Sequence, residues 1–193
     1  MMKSAALGAF TAAMLMAGSA AAQEAPGAPS GLGSPAVKVV GDWQVRCFPV
    51  ESPNPCDLFQ ETVNQNTRQR ILTVSLAYAP SNDRHLLQVT VPLEVALQKG
   101  MTLQAGGYTS PLLKFRVCTR QGCFVQIIAD NAMINALAKG GTEGKLNIFA
   151  GDGKSVSLPV SLKGFSAAHD DMVSQARTKA KAAPAGGTAA ATP

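Results

Sequence analysis

The chain has few of the residues that enzymes and metal sites need. Histidine occurs only at His85 and His169, and aromatic residues make up 5% of the 193 positions. No Gly-x-Ser-x-Gly elbow and no Cys-x-x-Cys pair is present, so the usual serine-hydrolase and thioredoxin-type motifs are missing. His169 with its neighbours Asp170 and Asp171 cannot present three ligands on one helix face. We therefore expect no enzymatic activity, no cofactor and no metal, with a hydrolase using either histidine as the weakest alternative.

Long apolar runs are also missing beyond the first 22 residues. There, Lys3 precedes an apolar stretch over residues 5–17, and a small-residue cleavage pattern ends at Ala22. This predicts a signal peptide over residues 1–22, and hence a periplasmic or secreted protein with no transmembrane segment. Because the first cysteine is Cys47, we expect no lipid-anchored N-terminus.

Charge is sparse and scattered. Without Lys3 the chain has 16 basic and 12 acidic residues, and they form no basic stripe with interleaved aromatics, which argues against nucleic-acid binding.

Residues 23–36 and 177–193 are rich in Pro, Gly and Ala and have no periodicity, so they are predicted to be a disordered linker and a disordered tail. A single domain is predicted over residues 37–176.

Four cysteines form two close pairs along the chain. Cys118 and Cys123 flank a turn-like tetrapeptide, and facing positions in a hairpin bring β-carbons to about 4.5 Å, close to what a disulfide needs. Cys47 and Cys56 bracket a loop with three prolines. Four cysteines allow three pairings, and a long bridge from Cys47 to Cys118 would stabilise more in the chain-entropy model. Hairpin geometry nevertheless favours two local disulfides, which would leave no thiol for redox or metal chemistry.

Most of the predicted domain alternates apolar and polar residues with a period of two, which is typical of half-buried strands. The alternation is clearest at residues 72–78, and Pro159 suggests that the strand containing it lies at a sheet edge. Further strands are predicted at 37–47, 57–64, 87–91, 102–105, 113–117, 124–128 (more fully buried), 145–150 and 155–162. The pattern predicts a mainly all-β fold, an antiparallel β-sandwich or barrel-like domain.

One or two short helices interrupt the strands. Asp130 can cap a helix over residues 131–139, which has an apolar stripe and stops at Gly140-Gly141. A second helix is predicted from Ser166 to about Lys181, with its later half frayed.

Four segments resemble the invasion-associated locus B family of Gram-negative bacteria, and the resemblance covers roughly residues 38–173. They are Gly-Asp-Trp-Gln-Val-Arg-Cys at 41–47, Cys56 followed by Asp-Leu-Phe-Gln at 57–60, the Cys118 to Cys123 hairpin, and Leu-Lys-Gly-Phe-Ser at 162–166. The resemblance implies a small secreted or periplasmic β-rich protein of the cell envelope, with an accessory role in the invasion of host red blood cells. It carries over no catalytic residues.

Two binding hypotheses follow. In the first, Lys114, Arg116 and Arg120 form a basic contact surface for an envelope or host-surface protein or glycan. In the second, a periplasmic β-sandwich binds a small ligand or glycan in a pocket with an exposed Trp43 or Tyr108. We expect Trp43 to be core instead, because tryptophans in β-sandwiches often pack against a disulfide. The sequence does not give the oligomeric state.

Overall fold

The computed structural model describes residues 33–49 and 51–182. The predicted signal peptide, most of the predicted linker and the end of the tail lie outside these residues. The strands β1 to β11 are Ala36–Val40, Trp43–Cys47, Cys56–Val63, Arg70–Ala79, Arg84–Val91, Thr102–Ala105, Tyr108–Thr109, Val117–Thr119, Gly122–Ala129, Glu143–Phe149 and Ser155–Ser161. The helices are α1, Asn131–Lys139, and α2, Phe165–Ala182, with a short 3-10 turn at Leu97–Lys99.

Two antiparallel sheets share one hydrophobic core. The larger has seven strands in the order β1-β2-β3-β4-β5-β9-β8, and the smaller has four in the order β11-β10-β6-β7. Buried residues from both sheets and both helices belong to the same cluster. The mainly antiparallel β fold is thus confirmed, and Pro159 lies on β11, at an edge of the smaller sheet.

The period-two pattern explains β4 well. Its side chains alternate between buried and half-buried, with Leu72, Val74, Leu76 and Tyr78 facing the core. Such alternation places all large apolar groups of the strand on one face. β4 is the middle of the larger sheet, so this face forms the centre of the core.

Three local predictions were wrong. Residues 37–47 are two strands, because the chain turns at Gly41 (φ 61°) between β1 and β2. Within 113–117 only Val117 begins a strand, β8, and its side chain is 51% exposed. The strand over 124–128 is not fully buried, since Ile128 is 55% exposed.

Both disulfides are local, as predicted. Cys47 pairs directly with Cys56 across β2 and β3, and Cys118 with Cys123 across β8 and β9. The first bridge is buried, whereas Cys118 is exposed. Each therefore closes a hairpin, but reagents in solvent have access mainly to the second.

Helix α2 packs on the larger sheet through a stripe with helical spacing. Phe165, Ala168, Met172 and Ala176 are each at most 1% exposed, and positions three and four apart share a helix face. Helix α2 contacts β1 to β4 and α1. It continues to Ala182, so residues 177–182, assigned to the tail from composition, are helical.

The turn between β1 and β2 meets the residues just before α2 at a backbone contact that we call the Gly41–Gly164 junction. A Cβ on Gly41 would lie 2.4 Å from the Lys163 carbonyl oxygen, and one on Gly164 would lie 2.8 Å from the Gly41 Cα. The Asp42 amide also donates a 3.1 Å hydrogen bond to the Lys163 carbonyl. Both glycines have positive φ, a conformation that costs a side chain energy.

Next to the junction, Gln60 joins three parts of the chain. Its amide nitrogen donates to the carbonyls of Asp42 (3.3 Å) and Ser161 (3.1 Å), and its oxygen accepts from the Ser161 amide at 2.9 Å. Gln60 is 7% exposed, and such a buried amide is tolerated because its polar atoms are bonded.

Candidate binding groove

The end of the larger sheet where β4 begins and β5 ends carries a groove of about 370 Å³. One wall is the start of β4, the floor is the end of β5 and the residues after it, and the other wall is the β8–β9 turn. Its lining includes Arg70, Ile71, Pro92, Leu93, Arg120 and Gln121.

The β8–β9 wall is held in place by covalent and steric constraints. The Cys118–Cys123 disulfide closes the hairpin two residues from the turn, with Cα atoms 4.0 Å apart. Gly122 has φ 133°, and a Cβ there would lie 2.3 Å from the Val91 carbonyl oxygen. Only glycine lets the two backbones approach so closely. The turn therefore rests directly on β5, and the groove has a preformed wall.

Two arginines line the groove in different ways. Arg70 spans it, donating from Nη2 to the Gln121 carbonyl at 3.1 Å, and its Nη1 is 3.8 Å from a Glu61 carboxylate oxygen. Arg120 is exposed and forms no ion pair among the residues that the structure describes. The cation available to a ligand is therefore Arg120, while Arg70 braces the two walls.

The floor between the arginines is partly apolar. Leu93 is 51% exposed, whereas Val91, which also lines the groove, is buried. An apolar floor with a few polar groups at its rim is the usual composition of a binding site. The groove can hold an extended segment that combines an apolar side chain with an anionic one.

The predicted basic surface is divided by the fold. Arg120 lines the groove, but Lys114 and Arg116 do not. They are exposed on the segment that leads into β8, on either side of the half-buried Phe115. Arg70 was missed from the sequence because it is 50 positions from Arg120, and only the sheet order brings β4 and the β8–β9 turn together.

The two histidines also meet, at the interface of β5 and α2. The Nε2 atoms of His85 and His169 are 2.9 Å apart, and Nδ1 of His169 is 3.3 Å from the Asp170 carboxylate. Burial, and secondarily the neighbouring His169, lowers the pKa of His85 to about 4. Among the described residues, no serine, threonine or cysteine side chain bonds to either imidazole, so the pair lacks the geometry of a Ser-His-Asp site.

A polar cluster ties α2 to the β4–β5 turn. The Tyr78 hydroxyl donates to the Asp83 carboxylate, and Arg177 donates from Nε to the Tyr78 oxygen (3.1 Å) and from Nη2 to Asp83 (3.2 Å). Burial raises the pKa of Tyr78, and the Tyr78 hydrogen bond lowers the pKa of Asp83. This cluster was not predicted from the sequence, because Arg177 fell in the predicted tail.

Trp43 is core, as expected. It is fully buried, its indole nitrogen donates to the Ser161 carbonyl at 3.0 Å, and its ring meets Phe165 edge-on at 5.2 Å. The hypothesis of an exposed, ligand-stacking Trp43 is therefore wrong. Tyr108 is half-buried on β7 and does not line the groove.

Within residues 33–49 and 51–182, no group of three or more His, Cys, Asp or Glu side chains is arranged to hold a metal ion. No helix in this part of the chain is both long and apolar enough to cross a membrane.

The fold and the two disulfide-closed hairpins define a small protein of two antiparallel sheets. Comparison with known proteins gives its family. Residues 43–173 match the model of the invasion associated locus B (IalB) protein family, so the chain belongs to that family. It is 32% identical over 173 residues to the invasion protein B homologues of Brucella abortus strain 2308 and of biovar 1 strain 9-941, covering 89% of this chain and 95% of each relative.

A solved structure has the same fold. The crystal structure of invasion associated protein B from Bartonella henselae superposes with a TM-score of 0.64 at 22% identity, over 72% of this chain and 97% of that one. The segments that carry the family resemblance have structural roles here. The first and last of them form the Gly41–Gly164 junction and the Trp43–Phe165 contact.

Proposed function

We propose that this protein acts by binding, without catalysis, and that the groove at the β8–β9 turn is where it binds an acidic, extended segment of a partner protein. The observation that carries this proposal is the pairing of Arg120, exposed and without an ion-pair partner among the described residues, with the apolar floor at Leu93. A charge at the rim speeds encounter, and a packed apolar contact slows dissociation.

The setting of this function is the cell envelope or its surroundings. The predicted signal peptide over residues 1–22 and two structural disulfides support a periplasmic or exported protein, since disulfides persist outside the reducing cytosol. The names of the relatives connect the family with invasion, so an accessory role in host-cell invasion is part of the proposal. Also part of the proposal is a single folded domain that reaches the end of α2 at Ala182, flanked by the predicted linker and the remainder of the predicted tail.

Site-specific photo-crosslinking in intact cells tests the groove. A photoreactive residue at position 93 is expected to capture one partner, and Arg120→Glu is expected to reduce that capture about tenfold or more, since a reversed charge opposes an acidic partner. Lys114→Glu and Arg116→Glu are matched controls, because both change the net charge equally outside the groove. The groove would be refuted as the binding site if the three variants lost crosslinked partner equally, or if Arg120→Glu left the amount of crosslinked partner unchanged.

A further inference from the structure

The only two histidines of the chain face each other across the contact between α2 and the larger sheet. His85 lies on β5 and His169 on α2, with ring centroids 4.9 Å apart and planes inclined by 29°. His85 is half-buried, and the His169 side chain is 18% exposed. Both side chains therefore belong to the surface by which α2 docks.

Charged or titratable groups from β4, the β4–β5 turn, α2 and β1 lie at or near this contact. The Tyr78 ring on β4 lies 4.9 Å from His85, and the Asp83 charge on the β4–β5 turn acts on the same imidazole. On α2, the Asp170 carboxylate faces His169. Farther along the same interface lie Arg177 of α2 and the 3.1 Å ion pair between Lys38 of β1 and Asp171 of α2.

Protonation affects this pair in two stages. In the neutral pair, one Nε2–H donates to the other Nε2. A first added proton still leaves only one N–H donor between the two rings, because the Nδ1–H of His169 can donate to the Asp170 carboxylate instead. A second proton leaves two N–H donors and two positive charges 2.9 Å apart. The docked state therefore disfavours a second proton on the pair, and release of the helix removes this cost by separating the two rings.

We propose that His85 and His169 form an acid-sensitive latch, which holds α2 on the larger sheet most firmly near neutral pH and lets it open more often as the surroundings become acidic. This goes beyond binding at the groove and does not depend on it. Release uncovers the apolar stripe of α2 and the Trp43 ring beneath Phe165. Acid therefore increases the fraction of molecules that expose this apolar surface.

The sign and size of the effect follow from proton linkage. The pKa of His85 is lowered in the docked state to about 4, against about 6.5 for a free imidazole. Docking is therefore fully favoured above pH 6.5 and weakens as the pH falls towards 4. Allowing for solvent screening of a half-exposed group, the ratio of released to docked helix should rise about tenfold between pH 7 and pH 5.

Hydrogen exchange and tryptophan quenching test the latch in the full chain. In the wild type, acidification from pH 7 to pH 5 should increase acrylamide quenching of Trp43. It should also speed intrinsic-rate-corrected amide exchange in residues 165–182 about tenfold, with β4 and β5 unchanged. The histidine-free variant His85→Gln/His169→Gln should lose this response. Lys38→Gln removes a different α2 contact and should lower protection at every pH while keeping the pH response.

Two results would overturn the latch. One is the same acid response in the histidine-free variant. The other, measurable on the wild type alone if that variant fails to fold, is acid-induced exchange that rises equally in α2 and in the central strands, or does not rise at all.

Discussion

The Gly41–Gly164 junction provides a prediction in which two physical costs can be separated. Gly41→Ala places a Cβ in a backbone with φ 61° and 2.4 Å from the Lys163 carbonyl oxygen. The left-handed conformation costs a residue with a side chain about 1–2 kcal/mol, and crowding of a packed site costs about 1–3 kcal/mol. Displacing Lys163 also weakens its hydrogen bond with Asp42, about 1 kcal/mol. Together these costs predict a loss of about 3–6 kcal/mol.

Three other glycines supply the matched controls. Gly141 has φ 94° and nothing within 4 Å of its Cβ position, so Gly141→Ala measures backbone strain alone. Gly144 is not at positive φ but would meet the Gln104 carbonyl oxygen at 2.9 Å, so Gly144→Ala measures crowding alone. Gly107 has neither constraint, and Gly107→Ala should be neutral or slightly stabilising.

Urea unfolding followed by Trp43 fluorescence measures the four variants. With an unfolding slope of about 2 kcal/mol per molar urea, Gly41→Ala should lower the midpoint by about 1.5–3 M. Gly141→Ala should lower it by about 0.5–1 M, and Gly144→Ala by about 0.5–1.5 M. If Gly41→Ala is no worse than Gly141→Ala, the close approach of the two backbones contributes nothing to stability and the reasoning is wrong.

Two further predictions concern the core and the disulfides. Gln60→Leu removes the acceptor of the part-buried Ser161 amide and should cost about 2–3 kcal/mol in urea unfolding. The exposed Gln44 is the control, and Gln44→Leu should change stability by less than about 0.5 kcal/mol. With limiting reductant, alkylation followed by mass spectrometry should find the 118–123 bridge opened before the 47–56 bridge, because Cys118 is exposed while Cys47 and Cys56 are buried. The opposite order would show that access does not control reduction.

Features set by neighbouring residues could be predicted from the sequence. Helix α1 begins at the expected residue, where the Asp130 carboxylate accepts from the Met133 amide at 2.8 Å. Both disulfides follow from cysteines that face each other across short hairpins. In these cases, the interactions that determine the structure lie within about ten residues of each other.

Features set by distant residues could not be predicted. The turn at Gly41 interrupts an apolar pattern that resembles one strand, and its cause is the chain at Lys163 and Gly164. Likewise, His85 meets His169 only because α2 crosses the larger sheet. Arg70 and Arg120 line the same groove only because of the strand order in the larger sheet, where β5 alone lies between β4 and β9. Sequence periodicity contains no information about such pairings.

The Gly41–Gly164 junction also has a consequence for the order in which the chain can fold. Trp43 is made early, but its hydrogen-bond acceptor Ser161 and its ring partner Phe165 follow roughly 120 residues later. Contacts of such separation form slowly because a long loop must close first. A growing chain that has not yet reached α2 therefore keeps its single indole unpaired, and a fragment that stops before residue 161 has no means of completing its core.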